Sequence, residues 1–142
     1  MKKFLFLFFC SILSFPLLAQ NNLVVRDFKY LQYDQTANLK GTSKKDNNGK
    51  TAALIKIETT LDNLAFDGGS YGIVTTEHKT GQWWVYVPQR AQKLTIRHPK
   101  YGKCEYYYED EIKAARTYTM KLNLEGKNIS FVTSVPGSEV MV

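Results

Sequence analysis

The sequence predicts an all-β protein, organised as a two-sheet antiparallel sandwich of about seven short strands. Two observations carry this prediction. Short runs alternate apolar and polar residues, as in Lys93–His98, where Leu94 and Ile96 point to one face. Turn residues recur about every ten positions, and no apolar run of helical period has the length of a helix. A closed barrel would give the same pattern, but a sandwich is the commoner solution for a chain of this size.

The chain is organised around the stretch from Asp46 to Ile57. Asp46-Asn-Asn-Gly49 is predicted to be a turn, because Asx side chains cap their own backbone and Gly accepts a positive φ. The strand that follows places Ala53, Ile55 and Ile57 on one face. Leu54 lies between them, so this strand is expected to be buried on its other face as well. The lysine-rich segment that contains this turn, residues 40–50, is predicted to be a solvated loop.

Further strands are predicted on both sides of this one, in an Ig-like or transthyretin-like sandwich. The first begins at Leu23 and ends at Tyr30, with Phe28, Tyr30 and Arg26 on a common face. A single helical turn capped by Asp34 is expected next. The later strand-like runs are 61–66, 71–77, 83–87, 93–98, 104–108 and 117–124. The predicted core contains Ile55, Ile57, Val85, Ile96, Tyr118 and Leu122.

The first 19 residues have the layout of a secretory signal peptide. Lys2 and Lys3 precede an apolar run of about 15 residues, which is shorter than the ~20 that a membrane-spanning helix needs. Cleavage after Ala19 would leave 123 residues with 17 basic and 13 acidic side chains, a net charge of +4. We therefore expect a protein exported to the periplasm, the outer surface or the medium, with no membrane span after cleavage and no nucleic-acid partner.

The C-terminal stretch Ser134-Val-Pro-Gly-Ser-Glu-Val-Met-Val142 resembles the opening of a PEGA domain, a small β module of bacterial envelope proteins. One residue is missing between Pro136 and Gly137, and Ser138 stands for the usual Ala. Residues 22–124 look like the β domain that often precedes PEGA modules. The resemblance implies a sandwich domain over residues 20–126 and a second, PEGA-like module beginning at 127. Because the chain stops within an apolar strand, this second module is expected to be truncated.

Some short patterns in the sequence resemble motifs for catalysis or metal binding, but each has a simpler interpretation. Gly68-Gly-Ser70-Tyr-Gly72 satisfies the Gly-x-Ser-x-Gly hydrolase pattern, but β-forming residues follow it, so a hairpin turn is predicted. His78 and His98 are 20 positions apart, and Cys104 is expected to be a small buried side chain on another strand. The Asp46 turn lacks the later acidic ligands of a calcium loop. The sequence therefore predicts no catalytic residues, no metal and no cofactor.

Aromatic residues carry the functional prediction. Trp83 and Trp84 are adjacent on a strand and must point to opposite faces, and Tyr106 to Tyr108 likewise cannot all be buried. Val85 and Val87 share the face of Trp83 and favour it as the core. Trp84, Tyr86 and Tyr107 are thus the candidate interaction surface. We expect a non-catalytic module for protein or glycan binding, or for spacing, within an envelope protein. The alternatives are a secreted inhibitor of a partner enzyme and a hydrolase domain.

Overall fold

The structure of the protein is a computed structural model that describes residues 21–126. The predicted signal peptide and the PEGA-like segment lie outside the described residues. Within them the chain forms eight strands, where the sequence predicts about seven. Their bounds are β1 Asn21–Tyr30, β2 Ala53–Glu58, β3 Ala65–Asp67, β4 Thr75–Lys79, β5 Gln82–Val87, β6 Lys93–His98, β7 Gly102–Tyr107 and β8 Thr117–Gly126. No helix in this part of the chain is long and apolar enough to cross a membrane.

Two sheets form the predicted all-β sandwich. One has five strands in the order β1-β8-β2-β5-β4, and the other has three in the order β3-β6-β7. The pairs of β5 with β2 and β4 and those of β6 with β3 and β7 are antiparallel, but β2 and β8 are parallel. A parallel pair needs a crossover connection, and here the chain between β2 and β8 passes through strands of both sheets.

The main core lies between the sheets and contains all six residues that the sequence predicts for it. Ile55 and Ile57 of β2, Val85 of β5 and Ile96 of β6 are fully buried there. β8 contributes alternate side chains to the same core, from Tyr118 through Met120 and Leu122 to Leu124. The hydrophobic alternation of these strands therefore identifies their buried face correctly.

Strand β1 departs from simple alternation. Leu23 and Val25 pack against the core, and so does Phe28, three residues further on. The shift occurs at Asp27, whose φ of 56° is left-handed and displaces the alternation by one residue. Phe28 then stacks on Tyr118, with ring centroids 5.4 Å apart. Arg26 was expected on the face of Phe28, but it is exposed and forms an ion pair with Glu125 instead.

A second, smaller core covers the outer face of the five-stranded sheet. Its fully buried members are Ala37, Ala52, Leu54 and Tyr86. Ala37 belongs to a 3₁₀ helix, Thr36–Asn38, which the sequence predicts as a single helical turn. Asp34 Oδ1 accepts a hydrogen bond of 2.9 Å from the Thr36 amide, and the Ala37 amide donates to Thr117 Oγ1 at 3.1 Å. The segment is thereby held against the sheet and buries Leu54, as expected for a strand covered on both faces.

Candidate functional site

Tyr86 is fully buried and cannot be part of an interaction surface, so the prediction that it is exposed is wrong. The predicted facing itself is correct, since Trp83 packs against the main core and Tyr86 lies on the opposite face. The loop that carries Ala37 then covers Tyr86, whose hydroxyl donates a 2.7 Å hydrogen bond to the Thr42 carbonyl. Burial raises the pKa of the Tyr86 hydroxyl to about 12.

Trp84 is half-buried beside Tyr86, and its indole is engaged by neighbouring side chains. Lys56 of β2 and Lys79 of β4 place their Nζ atoms 5.2 Å and 4.6 Å from the ring centroid. The indole Nε1 donates to Gln82 Oε1 at 2.8 Å. Since cation–π contacts and a hydrogen bond already satisfy this ring, Trp84 is a poor stacking platform for a ligand.

Tyr107, by contrast, is 61% exposed on the outer face of the three-stranded sheet. It lines an open groove of about 490 Å³, which we call the tyrosine groove. Tyr71, which is 43% exposed, lines the same groove. The polar residues of the groove are Arg90, Gln92, Glu109, Asp110 and Glu111. Two exposed phenol rings and five hydrogen-bonding side chains therefore meet in one concave surface.

Backbone hydrogen bonds fix the walls of this groove. The Arg90 amide donates to the Ile112 carbonyl at 2.7 Å, and the Tyr108 amide donates to the Gln92 carbonyl at 3.1 Å. Ile112 is fully buried and anchors the acidic turn that carries Glu109, Asp110 and Glu111. The Arg90 guanidinium lies 3.7 Å from Glu111 through its Nε atom. The groove is thus preformed and carries three carboxylates against one guanidinium.

The sequence identifies Tyr107 but not Tyr71. Tyr71 ends the 3₁₀ helix Gly69–Tyr71, within the segment that matches the hydrolase pattern. A tyrosine among glycine-rich turn residues is typical of an exposed loop, and this was the available signal. The position of Tyr71 close to Tyr107 could not be predicted, because this proximity depends on how the connection between the two sheets packs against β6.

The Gly-x-Ser-x-Gly segment is not the hairpin that the sequence predicts. It joins β3 and β4, which belong to different sheets. Ser70 is exposed in the 3₁₀ helix, so it does not occupy the strand-to-helix elbow on which this motif depends. The segment turns so tightly that a Cβ atom at Gly68 would collide with the carbonyl oxygen of Gly72.

The other candidate residues lie apart from the tyrosine groove. His78 stacks on Trp83, and its Nε2 lies 3.5 Å from Asp62 Oδ1, whereas His98 ends β6. Cys104 is half-buried on β7, and burial raises the pKa of its thiol. Asp46 Oδ1 accepts hydrogen bonds from the Asn48 and Lys50 amides, both at 2.9 Å, in the predicted Asx turn. Between residues 21 and 126, no three His, Cys, Asp or Glu side chains form a group that could hold a metal ion.

The chain was compared with protein-family models, with curated proteins and with solved structures. None of them matches it.

Proposed function

We propose that the protein is an exported, non-catalytic β-sandwich module of the cell envelope that binds a glycan in the tyrosine groove. The observation that carries this proposal is the exposure of Tyr71 and Tyr107, at 43% and 61%, on one concave surface. A sugar ring presents a face of C–H groups, and the flat apolar face of a phenol is the side chain surface that it stacks on. Tyrosine also offers this area at a small cost in side-chain entropy.

The polar side chains of the groove suit the rest of a glycan. Hydroxyl groups both donate and accept hydrogen bonds, and the groove provides carboxylate acceptors in Glu109, Asp110 and Glu111 and donors in Arg90 and Gln92. The backbone hydrogen bonds of Arg90 and Tyr108 support the affinity, because they hold the walls of the groove before a ligand binds. A ligand site of few convergent polar groups beside aromatic rings is the common form of such pockets.

The location in the envelope is supported by the sequence alone. A secretory signal peptide at residues 1–19 and a PEGA-like start at 127 both belong to exported bacterial proteins. The non-catalytic part of the proposal is supported by the exposed position of Ser70 in a 3₁₀ helix. In an envelope protein, such a module would hold a neighbouring domain on the glycan that it binds.

The experiment is a binding titration with soluble peptidoglycan glycan strands and with neutral polysaccharides. We expect Tyr107→Ala and Tyr71→Ala each to weaken binding by roughly tenfold, since about 1.4 kcal/mol of stacking is lost. Tyr33→Ala is the matched control, because Tyr33 is 88% exposed and does not line the groove. No binding by the unsubstituted protein to any of these glycans, or an equal loss in all three variants, would refute the proposal.

A second candidate function is protein binding, as in the inhibitor or spacer alternatives. Tyr30, Tyr33 and Leu39 are 41%, 88% and 54% exposed around another open groove, of about 700 Å³. Exposed aromatic and apolar side chains in one patch are typical of protein contacts. The same variants distinguish the two functions. Binding of a partner enzyme or neighbouring domain that is lost in Tyr33→Ala and kept in Tyr107→Ala would favour this one.

A further inference from the structure

The three-stranded sheet carries a second groove near the β6–β7 turn, which we call the basic groove. It has a volume of about 460 Å³ and is lined by Asn63, Ala65, Arg97, His98, Pro99, Gly102 and Lys103. None of these residues carries a carboxylate. The basic groove shares no residue with the tyrosine groove. Its positive charge is therefore separate from the carboxylates of the tyrosine groove.

Arg97 and Lys103 face each other across β6 and β7 as cross-strand partners. Like charges at directly opposed positions of a sheet destabilise it. Lys103 is only partly compensated, because its Nζ lies 3.8 Å from Glu105, and Glu105 lies at the same distance from Lys93. Arg97 is exposed and takes part in none of the ion pairs between residues 21 and 126. The sheet thus keeps Arg97 and Lys103 together beside one carboxylate, Glu105, which two lysines share.

His98 also lines the groove, but it follows Arg97 directly on β6, so its side chain points to the opposite face of the sheet. Its Nδ1 accepts a 3.0 Å hydrogen bond from the Lys100 amide. Lys100 is exposed on the adjoining turn and adds a further positive charge beside the groove.

We propose that the basic groove binds a phosphate group. Arg97 provides a planar guanidinium, whose forked N–H groups match two oxygen atoms of a phosphate. Lys103, its cross-strand partner, provides a second positive charge on the same face of the sheet. Phosphate is preferred over a single carboxylate because it can carry two negative charges and offers more oxygen atoms to these donors. The phosphate belongs to a soluble phosphorylated ligand or to a lipid headgroup, which share this chemistry.

The test uses Arg97→Gln with Lys103→Gln in one protein. Lys29→Gln with Lys113→Gln is the matched control. Both lysines are exposed and lie outside the groove, and replacing them removes the same number of positive charges. The probes are inorganic pyrophosphate, followed by NMR titration, and vesicles of phosphatidylcholine with and without phosphatidylglycerol, followed by sedimentation. All proteins carry the same N-terminal residues, so any contribution of those residues to vesicle binding cancels. The near-UV circular dichroism of Trp83 and Trp84 reports that each variant is folded.

We expect the groove variant to bind at least one of the two probes roughly tenfold more weakly than the unsubstituted protein, and the control to be changed less than about twofold. A loss for pyrophosphate identifies a soluble phosphorylated ligand, and a loss confined to phosphatidylglycerol vesicles identifies a lipid headgroup. An equal loss in the folded control would mean that net charge alone attracts the probe, and it would overturn the proposal. Failure of the unsubstituted protein to bind either probe would overturn it as well. Neither result bears on glycan binding in the tyrosine groove.

Discussion

Replacing Tyr86 by Phe removes one hydroxyl group from a fully buried side chain. That hydroxyl donates to the Thr42 carbonyl at 2.7 Å and fastens the loop that covers the five-stranded sheet. A neutral hydrogen bond of this kind contributes about 0.5–1.5 kcal/mol to the free energy of unfolding, so we expect Tyr86→Phe to lose that amount. Tyr86→Ala also removes the buried ring and should lose about 3–5 kcal/mol.

Two measurements test this expectation. Urea unfolding gives the loss in the free energy of unfolding for each variant. Hydrogen exchange of the Ala37 amide reports opening of the loop, because that buried amide donates to Thr117 Oγ1. In Tyr86→Phe we expect it to exchange roughly 2- to 10-fold faster, as follows from the same free-energy range.

The pH dependence isolates the hydroxyl further. Because burial raises the pKa of Tyr86 from 10.0 to about 12, the folded protein keeps a proton that the unfolded chain loses. The corresponding stability is fully present below pH 10 and is lost as the pH rises towards 12. Tyr86→Phe lacks this alkaline loss. The other tyrosines with raised pKa values, Tyr106, Tyr108 and Tyr118, are present in both proteins and cancel in the difference.

The reasoning would be refuted if Tyr86→Phe unfolded with the free energy of the unsubstituted protein and the Ala37 amide exchanged at its original rate. Such a result would mean that the loop is held by other contacts. A loss in Tyr86→Ala no larger than in Tyr86→Phe would also contradict it, because the ring would then contribute nothing by being buried.

Two further predictions concern the main core and the half-buried ion pair of Asp34 with Lys56. Ile55 is fully buried, so Ile55→Ala should lower the free energy of urea unfolding by about 2–4 kcal/mol, whereas Leu39→Ala, at a half-exposed position, should change it by less than about 0.5 kcal/mol. Equal effects of the two substitutions would remove Ile55 from the core. Burial raises the pKa of the Asp34 carboxyl, but hydrogen bonds from Lys56 and Thr36 lower it by more. The pKa of Asp34 therefore lies below its ordinary value of 3.8. Its stability contribution is therefore present above pH 3.8 and is lost as the pH falls further. Asp34→Asn should cost about 1.5–3 kcal/mol at neutral pH and much less in acid, and a cost independent of pH would contradict the ion pair with Lys56.

The face that points into the main core could be predicted from the sequence for three of the strands. In β2, β5 and β8 the alternation is regular, and apolar side chains on one face leave only one way to exclude them from water. The Asx turn at Asp46 was equally predictable, since it depends on residues within four positions of one another. Tyr107 could be identified for a similar reason, because three consecutive tyrosines on a strand cannot all point inward.

Only the tertiary structure decided what covers each face. Alternation fixes that Tyr86 opposes Val85, but whether Tyr86 meets water depends on a loop 44 residues away, whose Thr42 carbonyl accepts its hydrogen bond. The parallel pairing of β2 with β8 and the meeting of Tyr71 with Tyr107 are likewise contacts between distant parts of the chain. Such contacts arise from the packing of whole elements, and no local pattern encodes them. The sequence by itself therefore determined the core and one residue of the candidate site, and the packing of loops on the sheets decided which aromatic rings are left exposed.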